Sequence, residues 1–270
     1  MKSGAVAELL LWIAAATLFA FGADLRPHTE SEYEPTKREP DVLRLVTWNV
    51  GGTEDGKPHS LRAEHVPAIA DALAKLDADV VFLQEVPDTP LLRTLATALG
   101  SEWQAWRGRG DCGVLTRRPN VERWGPRRVQ NQAGVRFEHE GRSLVVLSIH
   151  AAAFSAKERN ETIREALESL LDEPADARAL VGDLNLNVDR DQKSELFSDD
   201  LHADVESYNA LAQHFTDAAL GRGPTAEPDR RLDYAFLSPE LEPITATPWH
   251  HRRTGTMDHH PLVIDLRLRH

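Results

Sequence analysis

The chain has 270 residues, 41% of them hydrophobic and 27% charged, which suits one large α/β core and argues against disorder throughout. A formal net charge of −12 argues against a protein that coats nucleic acid non-specifically, because such binding is driven by Lys and Arg. The single cysteine, Cys112, excludes an intramolecular disulfide, and with no Cys or His pairs at finger-like spacing a structural zinc site is not expected.

In residues 1–23, Lys2 precedes an uncharged run from Leu9 to Gly22. That run is short for a membrane-spanning helix, which needs roughly 20 apolar residues. Its length, with Ala20 and Gly22 placed for cleavage, predicts a secretory signal and an exported protein. A retained N-terminal anchor, with membrane association through this segment, is the second expectation. A buried helix of the domain is the third. Residues 24–40 hold Pro27, Pro35 and Pro40 among charges and read as an extended linker. The folded domain is expected over 41–270, as a monomer and without an internal repeat.

From there, strands and helices alternate. Val42 to Val50 is a β-rich run. Val66, Ile69, Ala70, Leu73 and Leu76 recur at helical spacing, and Asp79 to Leu83 is a short apolar strand. Leu91, Leu92, Leu95 and Leu99 mark a second helix. Gly113 to Thr116, Val135 to Phe137 and Leu144 to Ile149 read as strands, followed by a helix with Ile163, Ala166, Leu167, Leu170 and Leu171 on one face. Ala179 to Gly182, Leu232 to Leu237 and Leu262 to Leu268 complete the strands. This order departs from a parallel doubly wound sheet and predicts a layered α/β sandwich with mixed or antiparallel sheets.

The apolar strands meet polar residues at their ends. Leu43 to Trp48 ends in Asn49, Val80 to Leu83 in Gln84-Glu85, Leu144 to Ile149 in His150, and Leu180 to Gly182 in Asp183-Leu184-Asn185. Asp233 opens another strand, and Asp258-His259 precedes the last. Strand ends lie at the rim of a rigid core, where ligand sites are built. Glu85, Asp183, Asp233 and Asp258 offer the carboxylate oxygens that Mg²⁺ or Mn²⁺ prefers. Such carboxylates crowd together ionised only if a cation offsets their repulsion. His150 and His259 supply protons near neutral pH. No Gly-rich phosphate loop is present, so metal-assisted hydrolysis of a phosphate ester fits better than ATP chemistry.

The ordered set Thr47-Trp48-Asn49, Gln84-Glu85-Val86, Ser148-Ile149-His150, Gly182-Asp183-Leu184-Asn185, Arg231-Leu232-Asp233-Tyr234 and Asp258-His259-His260-Pro261 resembles the endonuclease/exonuclease/phosphatase superfamily over residues 42–268. The resemblance implies a four-layer α/β sandwich, with two sheets packed face to face and flanked by helices. It also implies a divalent-metal phosphoesterase. By resemblance, Glu85 is the main metal ligand, helped by Asn49 and Asp258. Asp183 aligns or deprotonates the attacking water, and Asn185 holds that water and a phosphate oxygen. His259, oriented by Asp233, contacts the scissile phosphate, with His150 as the second phosphate-facing histidine. His150 matches the deoxyribonuclease and sphingomyelinase branches, where abasic-site endonucleases usually carry tyrosine. Met257 stands where the family usually has serine.

Each residue also has a structural reading. Asn49, Asp183 and Asn185 suit turns, as do Asp189 and Asp191. Glu85 before Pro87 suits a solvated strand end. His59 and His65 read as surface residues, and His250 and His251 as an exposed loop pair or, second, as metal or phosphate contacts. His260 reads as a packing or solvent-facing residue. Residues 101–142 hold nine arginines against five acidic residues. They read either as a solvated loop-and-strand region or, through Arg107 and Arg109, as a phosphate-binding rim. Arg252 and Arg253 are a second rim candidate. The expected partner is a phosphate-ester substrate, either nucleic acid, a lipid headgroup or a small phosphodiester. Phosphomonoesterase action on a sugar or inositol phosphate is the second reading, and a non-catalytic binding module the third.

Overall fold

The computed structural model describes residues 38–188, 203–250 and 256–270. The expected signal or anchor, most of the linker, Asp189, Asp191, His251, Arg252 and Arg253 lie outside the described residues. Among the described residues, no helix is long and apolar enough to cross a membrane. Arg38, within the stretch expected as a linker, is held by an ion pair with Asp79 and a 3.0 Å hydrogen bond to the Val42 carbonyl.

In chain order the elements are β1 (Leu43–Asn49), a hairpin of β2 (Gly52–Glu54) and β3 (Lys57–His59), α1 (Val66–Leu76), β4 (Val80–Gln84) and α2 (Thr89–Leu99). Then come β5 (Gln104–Arg107), β6 (Gly113–Thr116), β7 (Glu122–Trp124), β8 (Gln132–His139), β9 (Arg142–His150), α3 (Ala156–Asp172) and β10 (Ala177–Asp183). The last are α4 (Ala203–Ala212), β11 (Thr216–Asp217), β12 (Asp233–Leu237), β13 (Leu241–Pro248) and β14 (Leu262–Leu268).

One sheet has the order β13-β14-β1-β4-β6-β5 and the other β11-β12-β10-β9-β8-β7. In each, a central parallel pair, β1 with β4 or β9 with β10, is flanked by antiparallel strands. Each parallel pair is joined by a crossover helix, α1 or α3, as parallel pairing requires. Strand alternation then divides the core. Leu43, Leu45, Phe82, Val146, Val181 and Ala235 fill the space between the sheets. The alternate residues Val46, Trp48, Val81 and Leu83 pack under α1 and α2. Val145, Leu147, Leu180 and Phe236 pack under α3 and α4. These are the four layers that the resemblance implied. Caps fix where the helices start: Asp88 accepts from the Leu91 amide at 2.7 Å, and Ser155 from the Glu158 amide at 3.3 Å.

Apart from the ten-residue α4, which was not expected from the sequence, the elements without a clear sequence signal are short or lie at edges. β13 contains Pro243 and Pro248, which suit an edge strand because no neighbour uses the missing N–H there. The hairpin, β5, β7 and β11 span four residues or fewer.

Candidate active site

The alternation that fills the inter-sheet core also builds the site. Asn49, His150, Asp183 and Asp233 carry the inward-facing series of β1, β9, β10 and β12 on to the sheet edge, past buried Thr47 on β1 and Ser148 on β9. Both parallel pairs point their carboxyl ends to this edge. Asp233 starts β12 opposite Asp183, and His259 precedes β14, which runs antiparallel to β1. Six separate segments thus deliver their polar residues to one place.

Asn49 sits at the junction. Its Nδ2 donates to Glu85 Oε1 and Asp183 Oδ2, both at 3.0 Å, and its Oδ1 accepts from the Gly51 amide at 2.9 Å. Asn49 therefore makes the turn bond of its structural reading and also lies against Glu85 and Asp183. Gly51 leaves room for the Glu85 carboxylate, since a Cβ there would stand 1.8 Å from Glu85 Oε2 and displace it. Glu85 and Asn185 adopt left-handed backbone, with φ of 60° and 51°. For glutamate this is a costly conformation, and strained backbone of this kind concentrates at functional sites. The segment carrying Asp258 lies beside the Asn49 turn, held by the Gly52–Met257 bridge and a 2.9 Å bond from the Thr53 amide to the Thr256 carbonyl.

Two histidines face the Asp183 carboxylate. His259 donates from Nδ1 to Asp233 Oδ2 at 2.8 Å, and its Nε2 is 3.7 Å from Asp183 Oδ2. His150 donates from Nδ1 to Asp111 at 3.0 Å, and its Nε2 is likewise 3.7 Å from Asp183 Oδ2. Burial alone would lower both imidazoles. The Asp111 bond and the charges of Asp183, Asp111 and Glu85 outweigh it at His150, pushing its pKa up to about 9. At His259, burial is outweighed by Asp233, Asp183 and Asp258, and the pKa rises to about 10. Burial raises the Glu85 and Asp233 carboxyls. Burial also pushes Asp111 upward, but its bond to His150 prevails and holds it low.

Asn185 is buried, and its Nδ2 donates to the Ala151 carbonyl at 2.9 Å. It ties the Asp183 turn to the loop after His150, so any phosphate contact falls to its second amide hydrogen. Asp111 was not singled out from sequence, although it immediately precedes the buried Cys112–Thr116 run as other site residues border theirs. Thr225 was also missed. It is fully buried, its Oγ1 accepts from the Asp233 amide at 2.9 Å, and its carbonyl accepts from the His260 amide at 2.8 Å.

Several histidine expectations change. His59 is buried rather than on the surface, with Nε2 3.0 Å from Thr256 Oγ1. His250 is half-buried, donating to the Pro224 carbonyl at 2.8 Å and packing edge-on against buried His260. The arginine-rich run divides. β6 starts at the site edge, so Arg117 and Arg118 emerge at the opposite edge beside Asp77 and Asp79. Arg107 and Arg109 stay on the Asp111 side, Arg109 being bonded to the Arg127 carbonyl and, at 3.0 Å, to Gln130 Oε1.

The donor set fits a divalent cation. Glu85, Asp111, Asp183, Asp233 and Asp258 are five carboxylates against two imidazoles, which leaves a surplus of three negative charges when all are ionised. Asp183, Asp233 and His259 offer ligand atoms within 4.8 Å of one another. Asp233, however, is committed to His259 Nδ1, so that group is a hydrogen-bonded pair facing a carboxylate. Glu85, with Asn49 beside it and the Asp258 segment alongside, could hold a cation without breaking that pair.

The model of the Endonuclease/Exonuclease/phosphatase family matches residues 46–253. Among solved structures, an endonuclease/exonuclease/phosphatase from Beutenbergia cavernae DSM 12333 is 21% identical, with a TM-score of 0.64, over 84% of this chain and 72% of that one. D. rerio TDP2 complexed with single strand DNA product is 19% identical, with a TM-score of 0.61, over 84% and 99%. A mannosyl-6-phosphatase from Bacteroides thetaiotaomicron VPI-5482 is 16% identical, with a TM-score of 0.59, over 83% and 99%. These likenesses establish a shared fold. No curated protein sequence matches the chain.

Proposed function

The chain belongs to the endonuclease/exonuclease/phosphatase family and is therefore a hydrolase of phosphate ester bonds, and from that premise we propose that its substrate is a phosphodiester. The observation that carries this reading is the pair of Asp-backed imidazoles, each with Nε2 3.7 Å from Asp183 Oδ2. In-line displacement places the attacking water and the leaving oxygen on opposite sides of phosphorus. Asp183 aligns the water and takes its proton. His259 and His150, protonated at neutral pH, donate to phosphate oxygens, and one of them protonates the leaving alkoxide. Asp233 and Asp111 fix the ring orientation and keep the charge in place.

Glu85, with Asn49 and Asp258, would hold the divalent cation, which supplies Lewis acidity and charge neutralisation when bound. Mg²⁺ or Mn²⁺ suits this all-oxygen set. Nucleic acid, a lipid headgroup and a small diester are the candidate substrates. The single strand DNA product held by the TDP2 structure supports the first. The mannosyl-6-phosphatase supports the rival reading of a phosphomonoesterase. We also infer export or N-terminal anchoring from residues 1–23, and the N-terminal mass of protein from its host distinguishes the two.

The test is turnover of bis-p-nitrophenyl phosphate and p-nitrophenyl phosphate with Mg²⁺, Mn²⁺ or chelator, alongside His259→Ala. Metal-dependent cleavage of the diester, lost in His259→Ala, is expected. Cleavage of the monoester alone would overturn the diester reading in favour of a phosphatase.

A further inference from the structure

Three of the strands that end in site residues carry a polar side chain just short of that end, facing the core between the sheets. Thr47 precedes Asn49 by two residues on β1, Gln84 immediately precedes Glu85 on β4, and Ser148 precedes His150 by two on β9. All three are fully buried, and the residues two positions earlier on the same faces, Leu45, Phe82 and Val146, are apolar. Gln84 Nε2 donates to Thr47 Oγ1 at 3.0 Å and to Ser148 Oγ at 2.9 Å. Thr47 and Gln84 belong to one sheet and Ser148 to the other, so this one amide bonds the two sheets together under the site.

In stability the amide cuts both ways: it satisfies two buried hydroxyls and leaves one of its own atoms unpaired. Gln84 Oε1 is buried without a hydrogen-bond partner among the described residues, and such an atom is a net cost. An apolar side chain of the same length would avoid that cost but would leave the buried Thr47 and Ser148 hydroxyls without the donor they accept from. It would not fix a direction or distance, because apolar contact is non-directional. The site needs that distance. Glu85 and Asn49 stand on the first sheet, His150 and Asp183 on the second, and the two halves meet through the 3.0 Å bond from Asn49 to Asp183. A misplacement of about 1 Å at such a junction costs on the order of a hundredfold in rate.

We propose that Gln84 is a positioning residue whose bond to Ser148 sets the spacing of the two half-sites. This rests on the hydrolase reading above. The amide touches neither substrate nor cation; it acts through the strands that carry Glu85 and His150. Its two bonds have different consequences. Loss of the bond to Ser148 removes a directional tie between the sheets, whereas loss of the bond to Thr47 leaves both partners on adjacent strands of one sheet.

The experiment compares Gln84→Met, Ser148→Ala and Thr47→Val with the unmodified full chain. It measures melting temperature, kcat and KM on bis-p-nitrophenyl phosphate with Mn²⁺, and calorimetric affinity for inorganic phosphate with Mn²⁺. Gln84→Met strands the buried Thr47 and Ser148 hydroxyls and is expected to lower the melting temperature somewhat, while kcat at a temperature where the variant is fully folded falls about tenfold or more, with KM within about twofold. Ser148→Ala should share the kcat loss and weaken phosphate binding. Thr47→Val should do neither. A simple structural role would instead lower kcat only in step with melting temperature. That pattern, wild-type kcat in Ser148→Ala, or equal losses in Ser148→Ala and Thr47→Val would overturn the proposal. Absence of turnover by the unmodified chain would count against the hydrolase reading, and the ranking of phosphate affinities would still decide the role of Gln84.

Discussion

Asp111 accepts the Nδ1 proton of His150 at 3.0 Å, on the other side of Asp183 from the bond between Asp233 and His259. The site is thus flanked by two acid–imidazole pairs, one of which spans the β6 and β9 strand ends. Replacing Asp111 with Asn should leave His150 in place while removing the charge that favours its protonation and selects its tautomer. We expect kcat to fall about a hundredfold. The alkaline limb of the pH–rate profile should also move to lower pH, because His150 would lose its proton sooner. A profile that keeps both its height and its alkaline limb would show that Asp111 does not act through His150.

Asp233 and His259 were legible together because each sat in a short motif beside an apolar strand. Asp111 was not, because its partner is remote in sequence and Arg-Gly-Asp-Cys-Gly reads as a surface turn. Sheet pairing supplies the missing link. β6 runs antiparallel to β4, so the residues just before β6 return to the edge where β4 delivers Glu85, and the Val86 amide bonds the Asp111 carbonyl at 2.8 Å. Long strands such as β9 and β10 declared themselves as continuous apolar runs, since both their faces are buried. Proline-bearing β13 did not, since its place at a sheet edge is a tertiary fact. The surface reading of His59 failed for a similar reason: the hairpin that buries it is only three residues per strand.

Gly51 tests the cation position. A methyl group there would stand 1.8 Å from Glu85 Oε2, the far end of a side chain that is able to swing away. Gly51→Ala should therefore melt within a few degrees of the unmodified chain yet displace the Glu85 carboxylate. Disturbing the support of a metal ligand typically costs 10–100-fold in affinity, so Mn²⁺ binding by calorimetry should weaken by about tenfold or more. Unchanged Mn²⁺ affinity would place the cation elsewhere.

Gly182 has the opposite balance. Its φ of 125° is one that L side chains rarely adopt, and a Cβ would meet the Ile149 carbonyl oxygen at 2.2 Å. That neighbour is backbone in the parallel pairing of β9 with β10 and has no room to move. Gly182→Ala should lose at least about 2 kcal/mol of stability, read as the shift in urea midpoint. A variant with unchanged midpoint would mean that Asp183 is held less rigidly than this geometry implies.

The histidines also predict how the metal-free protein responds to pH. Their folded-state values of about 9 and about 10 lie above the ordinary 6.5. Below pH 6.5 both folded and unfolded chains hold these protons, and the full contribution is present. Between 6.5 and 9.5 the folded chain holds protons that the unfolded chain has released, so stability falls as pH rises. In chelator, the melting temperature should decline across that window, by roughly 2–4 °C for each kcal/mol lost. His259→Asn should flatten the decline. A melting temperature that rises from pH 6.5 to 9.5 would contradict the assigned charge states.

The division of the arginine-rich run gives the substrate test an internal control. Arg107 stands on β5 near enough to Asp111 for its charge to help hold that carboxylate low, and Arg109 follows in the exposed loop that Gln130 and the Arg127 carbonyl brace. Arg117 lies six residues beyond Asp111, about 20 Å at the rise of an extended strand, and is bound to Asp77 at the far edge. If an anionic substrate reaches past the scissile phosphate along this rim, Arg107→Ala with Arg109→Ala should raise KM several-fold for a nucleotide diester while kcat changes little. Added salt should shrink the difference by screening exposed charges. Arg117→Ala should leave KM unchanged, because it removes a similar charge from the wrong edge. Equal KM effects at the two edges would indicate only the loss of general positive charge, and no effect at either edge would return the whole run to a solvated surface.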